Sequence, residues 1–182
     1  MLFNSFEFLV FLPIVFLLYW FAFKKLRTQN LFVVVASYLF YGWWDWRFLI
    51  LIAFTTLCSY ASGILLERQE GHRHIQRLIS IANIVLNLTI LGIFKYFNFF
   101  SENLQHLFQW FGFELDWVTL DILLPVGISF YTFQALSYTI DIYRHKMNPT
   151  HDIVAFFAFI SFFPQLVAGP IERATNLLPQ FE

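Results

Sequence analysis

Six apolar runs alternate with short polar connections along the chain. About 20 apolar residues cross the roughly 30 Å hydrocarbon core of a bilayer, so each run predicts a membrane segment. The second run is short, and the last one contains two prolines. The predicted segments are Phe6 to Phe23, Leu31 to Trp44, Phe48 to Leu66, Leu78 to Phe97, Ile122 to Ile140 and Ile153 to Ile171.

The first apolar run differs from a signal peptide in where its basic residues lie. The cluster KKLR, Lys24 to Arg27, follows the run instead of preceding it, and no small-residue cleavage site is present. We therefore expect this segment to remain in the protein as a membrane anchor.

The stretch NFFSENLQHLFQWFGFELDWVTL, between the fourth and fifth runs, has apolar residues at close to helical spacing. It predicts an amphipathic helix that lies flat on the outer surface of the membrane that the protein spans. The predicted fold class is therefore all-α: a polytopic helical membrane protein with about five to six membrane segments plus this surface helix. Residues 1–182 show neither repeats nor a flexible linker, which favours a single membrane domain.

The composition agrees with a membrane protein. Hydrophobic residues make up 59% of the chain and charged residues 13%, whereas soluble domains are about 25% charged. The net charge of −1, with basic residues grouped between apolar runs, excludes a basic nucleic-acid-binding face. The single cysteine, Cys58, cannot form an intramolecular disulfide and carries no information about the redox compartment.

The positions of the basic residues predict the orientation. Eight of the 11 Lys and Arg lie in the connections after the first, third and fifth runs. Such connections are cytoplasmic by the positive-inside rule, so we expect the N-terminus to be extracytoplasmic. The eight residues are Lys24, Lys25, Arg27, Arg68, Arg73, Arg77, Arg144 and Lys146.

The segment LPVGISFYTFQALSYTIDIYR, Leu124 to Arg144, is more polar than a lipid-facing helix. Helical spacing places its polar residues on one stripe, which must face protein or a water-filled cavity because unpaired polar groups are costly in hydrocarbon. Interhelical hydrogen bonding is an alternative explanation, as is a simple ion pair between Asp141 and Arg144. The stripe comprises Gly127, Tyr131, Gln134, Tyr138 and Asp141, with Ser137 beside it.

The phrase FFPQLVAGPIER predicts a broken helix. Each proline removes a backbone donor, and a glycine permits tight backbone. Broken backbone at membrane depth is tolerated only inside protein or along a water-filled cavity. The candidate site residues here are Pro164, Gln165, Gly169 and Pro170.

Five phrases in order resemble the N-terminal part of the membrane-bound O-acyltransferase family, in the branch of alginate and peptidoglycan O-acetyltransferases. The resemblance extends over essentially the whole chain and implies that it is part of a larger bundle. The phrases are MLFNSFEFLVFLPIVFLLYW, NLFVVVASYLFYGWWDWRF, LGIFKYFNFF, LPVGISFYTFQALSYTIDIYR and FPQLVAGPIER.

The resemblance implies transfer of an acyl group, usually acetyl, across a bacterial cytoplasmic membrane. The donor would be acetyl-CoA or an acyl carrier, and the acceptor an extracytoplasmic polysaccharide or acyl-accepting protein. The stripe and the broken helix would then line the tunnel of the bundle. The resemblance implies no bound cofactor and no metal, and the sequence itself gives no sign of nucleic-acid binding. D-alanyl transfer to teichoic acid, or a non-enzymatic transporter or scaffold, remains the alternative.

The histidine that the family uses as its base lies beyond residue 182, so no catalytic residue is assigned here. We expect the chain to be a piece of a longer protein and inactive on its own. A histidine base would be expected inside a span, whereas all the histidines of this chain lie in connections or in the surface segment. They are His72, His74, His106, His145 and His151.

Overall fold

The computed structural model describes residues 5–43, 45–110 and 127–182, which are helical apart from short connections. The all-α prediction is confirmed. A π-helical turn, Leu18–Ala22, continues the first helix, and a 3-10 turn, Leu178–Gln180, follows the last. The helices are α1 Phe6–Leu17, α2 Leu26–Gly42, α3 Arg47–Arg68, α4 Arg73–Trp110, α5 Ile128–Tyr143, α6 Ile153–Ser161, α7 Phe163–Ala168 and α8 Ala174–Leu177.

The helices bury polar as well as apolar residues and expose mainly apolar ones. α3 buries Thr55, Thr56 and Ser59 while it exposes Phe54 and Leu57. By length and composition, α3 and the Arg73–Phe97 part of α4 are able to cross a membrane, and Phe6–Ala22 and Ile153–Gln165 are shorter apolar helices. An apolar exterior around a polar interior is the arrangement of a helix bundle in a bilayer.

α4 is longer than a membrane span requires. Its 38 residues extend about 57 Å, against roughly 30 Å of hydrocarbon. Residues 98–110, in which a separate surface helix was expected to begin, continue α4 without a break. The remainder of that expected helix, residues 111–121, lies outside the described residues. The long helix therefore extends well past the hydrocarbon core on at least one side.

α2 and α3 form an antiparallel pair joined by a short connection. Arg47 donates hydrogen bonds to both carboxylate oxygens of Asp45, at 3.0 and 3.1 Å from Nε, and holds the pKa of that carboxyl below its usual value. Gly42 lies against the side chain of Leu49. The start of α2 and the end of α3 consequently lie at the same end of the bundle.

α3, α4 and α5 form the centre of the bundle through close backbone approach and hydrogen bonds. A Cβ at Gly63 would lie 2.6 Å from the hydroxyl of Tyr138, so glycine allows this ring to lie directly on α3. Asn83 Nδ2 donates to Thr139 Oγ1 at 2.7 Å, which joins α4 to α5. Small and polar residues at such contacts are typical of packing between helices in membranes.

The last predicted membrane segment, Ile153 to Ile171, enters the bundle and turns back. α6 has nine residues and ends at Ser161, which gives a rise of about 13 Å, less than half of the hydrocarbon thickness. The prolines predicted a broken helix, and the structure has that break at Phe162 (φ −56°, ψ 99°). The expectation of a segment running from 153 to 171 in one direction is not met.

Hydrogen bonds to α2 fix the course of this re-entrant segment, which we define as residues 153–182. The backbone N–H of Phe163 donates to Ser37 Oγ at 3.3 Å, whereas the carbonyl of Phe181 accepts from Asn30 Nδ2 at 2.6 Å. Asn30 lies about 10 Å nearer the start of α2 than Ser37 does. His151, just before α6, lies beside Glu67 near the end of α3. Because the end of α3 and the start of α2 lie at the same end of the bundle, both ends of the re-entrant segment lie there as well.

Candidate functional site

The polar stripe of α5 faces the protein interior. Tyr131 and Tyr138 are 0% exposed, Gln134 is 1% exposed and Asp141 is 5% exposed. The opposite face of the helix carries Phe133, which is 44% exposed. α5 therefore presents its polar side to the bundle and its apolar side outward, and the role of the stripe as a tunnel lining stays a prediction.

Gln134 connects α5 to the re-entrant segment. Its Nε2 donates to Gln165 Oε1 at 3.0 Å, and Gln165 Nε2 in turn donates to the carbonyl of Pro170, also at 3.0 Å. Gln165 is buried. The structure thus brings together three of the predicted site residues, and two amide side chains hold the turn of the re-entrant segment against the middle of α5.

Gly169 is required by the close approach of Gln165. A Cβ at this glycine would lie 2.9 Å from Gln165 Cγ and 3.0 Å from its Cα. The N–H of Gly169 donates to the carbonyl of Gln165 at 2.9 Å, which ends α7. Pro164 lies in the first turn of α7, where its missing N–H has no helical partner to lose.

Ser137 and Tyr138 tie α5 to neighbouring backbone. Ser137 Oγ accepts from the N–H of Ala174 at 3.2 Å and donates to the carbonyl of Gln134 at 2.9 Å. The hydroxyl of Tyr138 accepts from the N–H of Thr150 at 3.3 Å, and its ring lies 4.5 Å from that of Phe156. Both side chains have their hydrogen bonds satisfied within the bundle.

At the two ends of the stripe, Gly127 and Asp141 contribute through their backbone, whereas the residues in the middle contribute through their side chains. Gly127 precedes α5 with φ of 79°, a left-handed conformation that favours glycine, and is half-buried. Among the described residues no salt bridge joins Asp141 to Arg144, so the simple ion pair considered from the sequence is not formed. The backbone carbonyl of Asp141 accepts from the N–H of Lys146 at 2.8 Å, which closes the end of the helix.

The N-terminal half of α5 carries buried polar atoms without a partner in the described part of the chain. They are the hydroxyls of Tyr131 and Thr132 and the side-chain oxygen of Gln134, and Tyr41 on α2 has another. Leaving such an atom unsatisfied costs about 1–3 kcal/mol. Half of the six such atoms found among the described residues therefore lie within four consecutive positions of α5, and the others belong to Tyr38, Tyr41 and Asn87.

A second buried polar cluster lies between α3, α4 and α5, and the sequence interpretation missed it. Asn87 Nδ2 donates to Asn83 Oδ1 at 3.1 Å, and Ser59 Oγ lies 3.4 Å from the same oxygen. Asn87 Oδ1 has no partner among the described residues. The signal was available, because two asparagines four residues apart in an apolar run share one helix face.

The histidines of the described connections are exposed. His151 Nε2 lies 3.1 Å from Glu67 Oε2, and His145 Nε2 lies 3.4 Å from Arg73 Nη1. His72 and His74 are exposed as well, and the side chain of His106 lies outside the described residues. In the part of the chain that the structure describes, no group of three or more His, Cys, Asp or Glu is arranged to hold a metal ion.

The chain is similar along its whole length to named acyltransferases. A protein of Pseudomonas aeruginosa named probable alginate O-acetylase is 40% identical over 182 residues, which are the whole of this chain and 34% of that protein. A protein of the same name from Azotobacter vinelandii is 40% identical over 183 residues, 36% of its length. The peptidoglycan O-acetyltransferase of Helicobacter pylori is 30% identical over 210 residues, 39% of its length.

These matches fix the relationship and its extent. No family model matches the chain, and no solved structure matches it significantly. The chain spans about a third of the length of the curated relatives it matches. The resemblance drawn from the five phrases is confirmed: the chain is similar, over its entire length, to proteins named as alginate O-acetylase and peptidoglycan O-acetyltransferase.

Proposed function

We propose that the protein containing this chain is a membrane O-acyltransferase that transfers an acetyl group to hydroxyls of an extracytoplasmic polysaccharide such as alginate or peptidoglycan. The observation that carries the proposal is the similarity of all 182 residues to proteins named as alginate O-acetylase and peptidoglycan O-acetyltransferase. The buried polar side of α5 supports it, because a path for an acyl group or a sugar hydroxyl needs polar groups inside the bundle.

The chain contributes the surroundings of the reaction in this proposal. A histidine beyond residue 182 acts as the base that deprotonates the acceptor hydroxyl, which then attacks the acyl carbonyl of the donor. Tyr131, Thr132 and Gln134 supply unused hydrogen-bonding groups along the path, and the re-entrant segment closes one side of it. None of these residues is assigned a catalytic step.

The charge distribution predicts the orientation of the protein and, with it, the side of the membrane from which the donor approaches. With the three basic connections in the cytoplasm of a bacterium, the N-terminus is extracytoplasmic and the protein lies in the cytoplasmic membrane. The acyl donor, acetyl-CoA or an acyl carrier, then approaches from the side of Lys24, Arg68 and Arg144, and the polysaccharide from the other side.

Two alternatives lead to different expectations. D-alanyl transfer to teichoic acid would require an alanyl donor, but the relatives reported above are named for O-acetylation. A non-enzymatic transporter or scaffold would use the polar groups only to join helices, as Gln134 and Gln165 do. The second alternative does not account for the buried oxygen of Gln134, which has no partner in the described part of the chain.

The test is O-acetylation by the full-length protein in a bacterium lacking its own polysaccharide O-acetylase. Ester-linked acetate is released by mild base from purified alginate and peptidoglycan and quantified. We expect acetate in one of the two polymers and none when the downstream histidine is changed to alanine. The 182-residue chain made alone should give only background. Absence of acetate from both polymers, with the protein present in the membrane, would contradict the proposal.

A further inference from the structure

An apolar cleft of about 310 Å³ lies between the C-terminal half of α1 and the rest of the bundle. This volume falls within the range of ligand pockets in proteins. Its walls come from α1, α2, the break before α7 and the C-terminal turn, and no charged side chain lines it. Its wall residues include Val15, Trp20, Val33, Phe163 and Phe181.

The cleft lies beyond the ring contacts that the N-terminal half of α1 makes with the bundle. The ring of Phe11 lies 5.5 Å from that of Phe163, and the ring of Phe8 lies 5.9 Å from that of Phe40. Further along, the helix widens into a π turn, and Gln29 Nε2 donates to the carbonyls of Tyr19 and Phe23, at 3.3 and 2.9 Å. These bonds join the end of the first helix to the start of α2, on one side of the cleft.

The polar groups of the cleft wall do not call for a polar ligand. None of the buried polar atoms without a partner in the described part of the chain belongs to its walls. The one amide in the wall, Gln180, already donates to the carbonyl of Asn176 at 3.4 Å. An occupant without hydrogen-bonding groups along its length is therefore suited to this space.

A cluster of basic residues follows, in sequence, the π turn that forms part of the cleft wall. Lys24, Lys25 and Arg27 come immediately after the turn that carries Trp20, and all three side chains are exposed. Neither ion pair found among the described residues involves any of them. An uncharged cleft with three exposed basic residues shortly after its wall residue Trp20 is complementary to a molecule that has an apolar tail and an anionic head.

We propose that this cleft binds one anionic phospholipid, with an acyl chain between Val15 and Phe163 and the phosphate at Lys24, Lys25 and Arg27. The bilayer around the protein supplies such a molecule at high concentration, and basic pockets between membrane helices are known recognition sites for anionic headgroups. The proposal needs only that the protein lies in a membrane and is independent of acyl transfer.

Trp20 provides a direct readout, because bromine atoms on a lipid chain quench tryptophan fluorescence only on contact. The full-length protein is reconstituted into vesicles of phosphatidylcholine and phosphatidylglycerol in equal parts, with bromine on the chains of one lipid at a time. The signal of Trp20 is the difference between the wild-type protein and Trp20→Phe. We expect phosphatidylglycerol to quench this signal several-fold more than phosphatidylcholine.

Two sets of variants separate a specific site from general contact with lipid. Changing Lys24, Lys25 and Arg27 together to Gln should abolish the lipid preference, so that the two lipids quench Trp20 to the same extent. Changing Arg68 and Arg77 to Gln, which removes exposed charge from another connection, should leave it unchanged. Val15→Phe, which fills the cleft, should weaken quenching by both lipids.

Three results would overturn the proposal. Equal quenching by the two lipids in the wild-type protein would mean ordinary contact with the bilayer. No quenching of Trp20 by either lipid would mean that another segment of the protein occupies the cleft. If the Arg68 and Arg77 variant loses the preference for phosphatidylglycerol as completely as the triple variant does, the preference is a general effect of surface charge.

Discussion

The amide of Gln134 donates a 3.0 Å hydrogen bond to the side-chain oxygen of Gln165, while its own side-chain oxygen is buried without a partner among the described residues. One half of the side chain thus joins α5 to the re-entrant segment, and the other half is unused. The first half is explained by packing between helices, and the second is not.

Changing Gln134 to Leu in the full-length protein separates these two roles. The lost interhelical bond should cost about 0.6 kcal/mol, so the folded yield should stay within about threefold. We expect polysaccharide acetylation to fall by about tenfold or more, because the unused oxygen is one of the groups that we assign to the proposed path. Phe133→Leu, on the exposed side of the same helix, is the matched control. A lower yield with unchanged acetylation per folded molecule would restrict Gln134 to joining helices.

Gly63→Ala should destabilise the bundle. The added Cβ would lie 2.6 Å from the hydroxyl of Tyr138 and 2.7 Å from its Cε1, and overpacking of this kind costs about 1–3 kcal/mol. Gly92→Ala is the matched control, since nothing lies within 4 Å of the added Cβ and the helix gains up to about 1 kcal/mol from alanine. Thermal unfolding of both variants in detergent measures the difference. Equal melting temperatures would show that Tyr138 moves aside freely.

Asn83 and Thr139 should be energetically coupled. Their hydrogen bond joins α4 to α5, and such bonds between membrane helices are worth about 0.6 kcal/mol on average and up to about 1.7 kcal/mol. A double-mutant cycle with Asn83→Ala and Thr139→Val, followed by unfolding in detergent, should give a coupling energy in this range. The same cycle with Thr89→Val, at an exposed position of α4, should give none. Additive effects of Asn83 and Thr139 would mean that the bond contributes nothing net.

The proposed orientation predicts opposite labelling of two introduced cysteines. In a Cys58→Ser background, Gln105→Cys should react with an impermeant thiol reagent in intact cells, and His72→Cys only after the membrane is permeabilised. The expected pattern follows from the cytoplasmic placement of the basic connections. The reverse pattern would invert the proposed topology.

The re-entrant course predicts a third labelling result. Asn176→Cys, at an exposed position close to the end of that segment, should be protected in intact cells in the same way as His72→Cys. A continuous span from residue 153 to residue 171 would place it on the other side of the membrane. Reaction of Asn176→Cys in intact cells, with His72→Cys protected, would therefore contradict the turn at Phe162.

Local patterns predicted the elements well, because each depends on residues close in sequence. Hydrophobic run length predicted the helices, helical spacing predicted the buried face of α5, and Pro164 predicted the break before α7. The unbroken course of α4 through residues 98–110 was also predictable, since no proline or glycine occurs there. The amphipathic pattern of that stretch was given more weight than the absence of a helix breaker.

The contacts that decide the path of the chain were not predictable in this way. The bonds from Ser37 to Phe163 and from Asn30 to Phe181 join residues 126 and 151 positions apart. The fit of Tyr138 onto Gly63 likewise depends on which helices become neighbours. A glycine in an apolar run has many possible roles, and only the assembled bundle selects one.

The shortness of α6 also constrains the order in which the protein is assembled in the membrane. Nine helical residues are too few to be inserted as an independent span, and the backbone that follows, through Phe162 and Gly169, has polar groups that lipid does not satisfy. Their partners include Ser37 on α2 and Ser137 on α5, and Gln134 of α5 bonds the side chain of Gln165 in the same segment, so α2 and α5 must be in place first. Residues 153–182 therefore enter the membrane late, after the earlier helices have packed together and formed the site that receives them.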